Sequence, residues 1–342
     1  MVAYINSIRE RIFRDTERIN RIFRKFDNEG IFYSSENVIE EFNRTASKST
    51  LFKFMQSSIA RLKNNGKIRT AETYTATLKS FKKFREGNDL YFDSVSSNMM
   101  EDYQAWLHQR GVAPNTISFY IRIIRAVYNR AVEEEITNDR HPFRRVYTGV
   151  EKTAKRALPL ATIKKIRTLD LTSNPELQYA RDMFILSFML RGMSFVDMAM
   201  LKKSDLRDGY VTYRRRKTGQ QLSIEWTKEM QKILDIYPDN NSDYLLPIIK
   251  NGNSKERYAY KNAGEKINLR LKKIGEMLKI DLPLTMYVAR HSWASIAKAE
   301  GIPIGVISEG LGHEKESTTR IYLASLDTSA IDRANEIILG LL

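Results

Sequence analysis

The sequence predicts a mainly α-helical chain with one small β-hairpin in the second of two domains. Three observations carry this. Apolar residues recur at three- and four-residue spacing along most of the chain. Two short extended runs, 211–213 and 222–224, flank a turn with Gly219 and give the one clear strand signal. The 342 residues are long for one domain and comfortable for two, and a polar stretch with Gly149, Pro142 and Pro159 interrupts the helical pattern near the middle.

Taken in order, residues 2–26 read as an amphipathic helix with Ile5, Ile8, Ile12 and Ile19 on one side, ended at Asn28-Glu29-Gly30. Ser34 and Ser35 can cap a second helix. Residues 1–48 therefore form an N-terminal helical extension. Residues 50–85 read as two helices split near Asn64-Asn65-Gly66, and residues 97–110 and 115–136 as two more. In the last of these, Ile117, Ile121, Ile124 and Val127 fall at core spacing while Arg122, Arg125 and Arg130 fall elsewhere. Residues 49–137 make a helical domain and 138–159 a linker. The second domain, 160–342, opens with helices near 160–169 and 175–191. The hairpin follows, then helices to the end, the last over 327–341.

A net charge of +15 and a pI near 9.7 point to a polyanion partner. Residues 1–150 hold 25 basic and 18 acidic side chains, and the remainder 31 and 23, so both halves are basic. Residues 50–85 hold nine basic side chains against one acid, Glu72, a ratio that solubility alone does not explain. Lys79, Lys82, Lys83, Arg122 and Arg125 are the candidate DNA contacts of the first domain. The absence of cysteine excludes disulfides, thiolate metal sites and Cys nucleophiles. No run of 18 apolar residues marks a membrane span, and charge interrupts the first residues too early for a signal peptide. A cytoplasmic protein is expected.

Three segments carry chemistry. One runs from Thr285 through Tyr287, Arg290 and His291 to Trp293. The second is Leu311-Gly312-His313, with Tyr322 nine residues after the histidine. The third is Arg214-Arg215-Arg216-Lys217 at the hairpin turn. The order Lys, Arg, His, Tyr resembles the active site of the tyrosine recombinases, the phage-integrase family. The resemblance covers nearly the whole chain and implies a two-domain C-clamp: residues 49–137 as a SAM-like core DNA-binding domain and 160–342 as the catalytic domain. Arg191-Gly-Met-Ser-Phe-Val-Asp197 and Lys155-Arg-Ala-Leu-Pro159 are similar to Bacteroides-type integrases and DNA invertases.

By this resemblance Tyr322 is the nucleophile and Arg290 a phosphate clamp, because a guanidinium fork matches two phosphate oxygens and stays charged. His313 donates to the same phosphate or manages the tyrosine proton. Lys217 is the general acid for the leaving 5′ oxygen, and Arg214, Arg215 and Arg216 serve DNA affinity. Two departures stand out. Aligning on Asp197, Leu201 and Ser204-Asp205 puts Ser194 where the family carries its first catalytic arginine. Arg191, three residues earlier, is expected on the same helical face to supply that guanidinium, with another arginine as the alternative. Ser194 is then a polar neighbour of the phosphate and Asp197 a structural support. Tyr287 replaces the usual histidine, with His291 beside it.

The implied activity is site-specific recombination through a 3′-phosphotyrosine, for integration, excision or inversion. Double-stranded DNA with inverted-repeat core sites is the expected partner, bound by a homotetramer on two sites that is monomeric when free. An accessory DNA-bending protein is a further candidate partner, and no metal or cofactor is called for. Residues 331–342 are apolar, and docking on their own domain or on a neighbouring protomer are both open. A non-catalytic sequence-specific DNA-binding protein and a type IB topoisomerase-like relaxing enzyme are the rival readings.

Overall fold

The computed structural model describes residues 2–48, 50–151, 157–238, 242–249, 256–323 and 338–340. The chain divides into two compact units, residues 1–151 and 152–342. The helix expected over 327–341 lies outside the described residues except at its last turn.

The first unit is helical throughout: α1 (Val2–Asn28), α2 (Ser35–Lys48), α3 (Leu51–Asn64), α4 (Ile68–Phe84), α5 (Ser97–Gln109) and α6 (Pro114–Glu133). Local chemistry sets several boundaries. Ser34 Oγ accepts from the Asn37 amide at the start of α2, Ser96 Oγ from the Met99 amide at the start of α5, and Pro114 occupies the first turn of α6. The stripe Ile117, Ile121, Ile124 and Val127 is buried, as its spacing predicts. It meets Leu51, Met55, Phe81 and Tyr103 in one core, where the Phe81 and Tyr103 rings pack edge to face at 4.8 Å.

Helix α1, at 27 residues, is nearly twice as long as α2, so α2 can cover only part of it. Ile22 and Phe26 are buried, and Lys25 pairs with Glu41 at 3.3 Å, whereas Ile5, Ile8 and Ile12 remain exposed.

Residues 138–151 do not behave as a spacer. Phe143 and Val146 enter the first core, the Tyr128 hydroxyl donates to the Asn138 carbonyl, and Ser118 Oγ donates to the Gly149 carbonyl. Asn115 exchanges two hydrogen bonds with the backbone of Glu151.

The second unit contains α7 (Leu160–Thr168), α8 (Pro175–Met189), α9 (Phe195–Ala199), β1 (Leu206–Arg207), β2 (Tyr210–Arg214), β3 (Gln221–Glu225), α10 (Lys228–Leu234), α11 (Glu256–Met277), α12 (Met286–Ala299), α13 (Ile304–Gly310) and α14 (Glu316–Leu323). Helix α8 is apolar on nearly every side and is wrapped by α7, α10, α11 and α12. The hairpin gains a short third strand, giving an antiparallel sheet in the order β1-β2-β3 with Val211 opposite Ile224. A small satellite core of Ala294, Ile307, Leu311 and Leu323 joins α12, α13 and α14.

The packing of 138–151 makes a prediction. Phe143→Ala should destabilise the first unit by about 3 kcal/mol, the usual cost of emptying a buried aromatic site. Urea unfolding followed by circular dichroism measures it, and an unchanged midpoint would restore the spacer reading.

Candidate active site

The site lies within the second unit and begins where α8 ends. Arg191 and Gly192 both adopt left-handed backbone, with φ of 56° and 68°. The helix stops at Met189 and a new one starts at Phe195. Arg191 and Ser194 therefore do not share a helical face, contrary to the sequence expectation, because Gly192 turns the chain between them. A non-glycine residue in this conformation is uncommon, and its neighbours must hold it there.

Gly192 is required by close approach as well as by φ: a Cβ there would lie 2.5 Å from Arg290 Cα. Arg290, on α12, is only 6% exposed. Its guanidinium donates to the Gly192 carbonyl at 3.0 Å and to the Leu311 carbonyl at 2.5 Å, and its Nη2 reaches His313 Nε2 at 3.2 Å. One side chain thus ties the α8–α9 turn to the loop after α13.

The hairpin approaches the same loop from the other side. The alternation of a strand points Val211, Tyr213 and Arg215 inward and sends Arg214 and Arg216 out. Arg214 and Arg216 are exposed, as a DNA-affinity role requires. Arg215 is not: it is 7% exposed and donates to the Gly312 carbonyl at 2.5 Å. Its placement corrects its grouping with the surface arginines. Gly312 has φ 64°, and a Cβ there would meet Leu222 at 2.8 Å and the Arg215 side chain at 3.1 Å. Lys217 is exposed at the turn, where a long flexible amine can reach outward.

Asp197, 4% exposed, anchors this hairpin. It accepts from the Arg216 amide at 2.9 Å and from Ser194 Oγ at 2.6 Å. Ser194 also caps α9, so its hydroxyl is committed to Asp197. Tyr213 packs behind these groups; burial, and then the Asp197 carboxylate, push its phenol well above the ordinary tyrosine range despite Arg290, Arg215 and Arg191 nearby.

His313 sits among the cations. Burial, then the charges of Arg290, Arg215 and Lys217, lower its pKa to about 4. The ring is neutral at pH 7, and its tautomer follows from its partners. Arginine can only donate, so Nε2 accepts from Arg290, and Nδ1 carries the proton that bonds Thr319 Oγ1 at 2.7 Å. Thr319 is fully buried on α14. Tyr322 follows it by three residues on the same helix, and its side chain lies outside the described ones. Lys298 donates to the Leu323 carbonyl at 3.4 Å, adding a second hold on that helix. Tyr287 is exposed on α12, edge-to-face with His291 at 4.4 Å. Thr319 and Tyr213 carry no motif signal in the sequence. Arg215 does, through the inward phase that Val211 sets.

In the first unit, Lys79 and Lys83 are exposed on α4, while Lys82 lies over the Phe52 ring at 5.4 Å. Arg122 and Arg125 are half-buried on α6, and Arg125 donates to Thr148 Oγ1 at 3.4 Å. Among the described residues no cluster of three or more histidine and carboxylate side chains is placed to hold a metal ion, and no helix is long and apolar enough to cross a membrane.

Two family models match this chain: the phage integrase SAM-like domain over residues 50–146 and the phage integrase family over residues 162–329. The chain belongs to the phage integrase family. Tyrosine recombinase XerA of Pyrococcus horikoshii is 26% identical over 261 residues, 74% of this chain and 82% of that protein. Tyrosine recombinase XerD of Listeria innocua is 22% identical over 241 residues, 67% of this chain and 78% of that protein. A lambda integrase dimer bound to a COC′ core site matches with a TM-score of 0.63 at 14% identity, covering 89% of this chain and 85% of that one. A lambda integrase tetramer bound to a Holliday junction matches at 0.59 and 16% identity, covering 80% and 77%. The Tn1549 transposon integrase in complex with circular intermediate DNA matches at 0.61 and 16% identity, covering 84% and 99%.

The depressed histidine predicts a pH dependence. Between pH 6.5 and about 4 the unfolded chain binds a proton at His313 that the folded chain refuses. Stability should therefore be unaffected by this group above pH 6.5 and should fall as pH drops through that window. Denaturation midpoints measured across it should show the slope reduced in His313→Gln; an identical slope would mean that other groups cause it.

Proposed function

We propose that this chain is a site-specific DNA recombinase that cuts and rejoins DNA through a 3′-phosphotyrosine on Tyr322. One observation supports this most directly. Arg290, Arg215 and His313 converge on the Leu311–His313 loop, and the helix bearing Tyr322 is hydrogen-bonded to that same histidine.

The chemistry asks for an in-line nucleophile, cations on the non-bridging oxygens, and an acid for the leaving group. The phenol oxygen of Tyr322 attacks phosphorus and its O–P bond forms. The phenolic proton passes to the neutral Nε2 of His313, which faces Arg290 in the free protein and becomes a better base once the bound phosphate offsets the surrounding positive charge. Arg290 holds the non-bridging oxygens. The P–O5′ bond breaks, and the 5′ oxygen takes a proton from Lys217. Two candidates, Arg191 and Arg215, stand for the second guanidinium. Asp197 positions the hairpin that carries Lys217, and Ser194 supports Asp197. The covalent intermediate conserves the phosphoester energy, so the reverse attack by a 5′ hydroxyl religates without a nucleotide cofactor.

The basic faces of both units hold the duplex: Lys79, Lys82, Lys83, Arg122 and Arg125 from residues 49–137, and Arg214 and Arg216 from residues 160–342. Lambda integrase has been seen as a tetramer on a Holliday junction, and the same assembly on two inverted-repeat core sites is proposed for this chain. Integration, excision or inversion of a segment in bacterial nucleoid DNA, by an integrase or invertase of the Bacteroides type, is the proposed outcome. An accessory DNA-bending protein would assist where the two sites must be brought together.

Covalent trapping tests this. Nicked suicide duplexes drawn from the DNA flanking the gene should give a denaturation-resistant protein–DNA band, and Tyr322→Phe should abolish it while leaving binding intact. A band that survives in Tyr322→Phe would assign the nucleophile elsewhere. Lys217→Ala should slow cleavage by about 10²–10⁴-fold, the usual contribution of a general acid. Replacing the bridging 5′ oxygen by sulfur, a leaving group that needs no proton, should restore most of that loss. No restoration would assign Lys217 to DNA contact alone.

A further inference from the structure

We propose that Arg215 supplies the phosphate-clamping guanidinium that Ser194 does not, an inference that rests on the recombinase reading above. The position where the family pattern carries its first arginine holds a serine, and that hydroxyl is engaged with Asp197. The site nevertheless contains a second buried guanidinium, reached from the hairpin instead of from α9.

Three features set Arg215 apart. First, it is buried without an anionic partner. Among the described residues it forms no ion pair, and its one side-chain hydrogen bond, to the Gly312 carbonyl, uses one of five donors. Withdrawing such a charge from water is unfavourable unless another group compensates it. None of its nitrogens is both fully buried and unpartnered, so those without a protein partner retain some contact with solvent.

Second, Arg215 is matched to Arg290. The two guanidiniums donate to adjacent carbonyls, Gly312 and Leu311, and both charges press on His313. A phosphate drawn to one cation meets the other. Third, it is rigidly placed next to the proposed acid. The Arg215 amide bonds the Gln220 carbonyl, its own carbonyl accepts from the Gly219 amide, and the following Arg216 amide is held by Asp197. Lys217 lies two residues on, so one anchored turn carries both the clamp and the acid.

Arg191 fits the role less well. It is half-exposed, sits in a left-handed turn, and lies against the end of α13, 3.8 Å from where a Gly310 side chain would begin. Its charge reaches Tyr213 but is not among those acting on His313.

The test compares cleavage of an ordinary suicide duplex with one bearing a charge-neutral methylphosphonate at the scissile linkage. A residue that neutralises phosphate charge matters much less when that charge is absent. Arg215→Ala should lose about 10²–10³-fold on the ordinary duplex and less than about tenfold on the methylphosphonate, each relative to the unmodified protein. Arg215→Lys, which keeps the charge and replaces the fork, should fall between and serves as the variant if Arg215→Ala does not fold. An equal loss on both linkages would mean a structural role and overturn the proposal. So would relief that follows Arg191→Ala instead of Arg215→Ala. If the unmodified protein forms no adduct on either duplex, the recombinase reading fails, and this inference fails with it.

Discussion

A guanidinium buried against carbonyl oxygens organises this protein. Arg290 bonds Gly192, Leu311 and His313, and so fastens three segments far apart in the chain. Carbonyl oxygens of Gly192 and Leu311 accept from the guanidinium and hold it in place. The cost of that choice falls on the surroundings. Gly192 and Gly312 give up side chains so that backbone can approach, and Arg191 accepts a strained backbone conformation beside them. The histidine among the cations stays neutral because a further positive charge there is unfavourable.

The placement of the hairpin follows from the same economy. Its outer face repeats the basic theme of the surface through Arg214 and Arg216, while its inner face inserts Arg215 under the loop that Arg290 holds from the opposite side. Asp197 is the buried carboxylate in this neighbourhood, and it is turned to a backbone amide and a hydroxyl. It steadies the turn that carries Arg215 and Arg216.

Much of this was legible in the sequence. Helix boundaries followed from Ser34 and Gly66, whose local chemistry acts over a few residues. The stripe through Ile117 and Val127 announced the first core. Arg290, His313 and Tyr322 were legible because their spacing resembles a known pattern. What was lost depended on contacts distant in sequence or on backbone turns. Treating residues 175–191 as continuous helix hid the left-handed turn that separates Arg191 from Ser194. Counting Arg214, Arg215 and Arg216 as one charge run ignored the two-residue period of a strand, although Val211 sets the phase. Phe143 and Val146 looked like linker residues because their partners, such as Tyr128 on α6, lie elsewhere along the chain. Thr319 has meaning only beside His313.

The site draws on positions from Gly192 to Thr319, with its last pieces near the end of the chain. A ribosome delivers such a chain from the N-terminus, and domains fold as units while synthesis continues. The basic helical unit, complete by residue 151, is made first. Only when the segment beyond Leu311 has emerged can Arg290 and Arg215 be tied to one loop. A growing polypeptide thus completes its basic helical unit well before the buried cations of the second unit can be brought to one loop, and a chain cut short of Leu311 lacks that loop altogether.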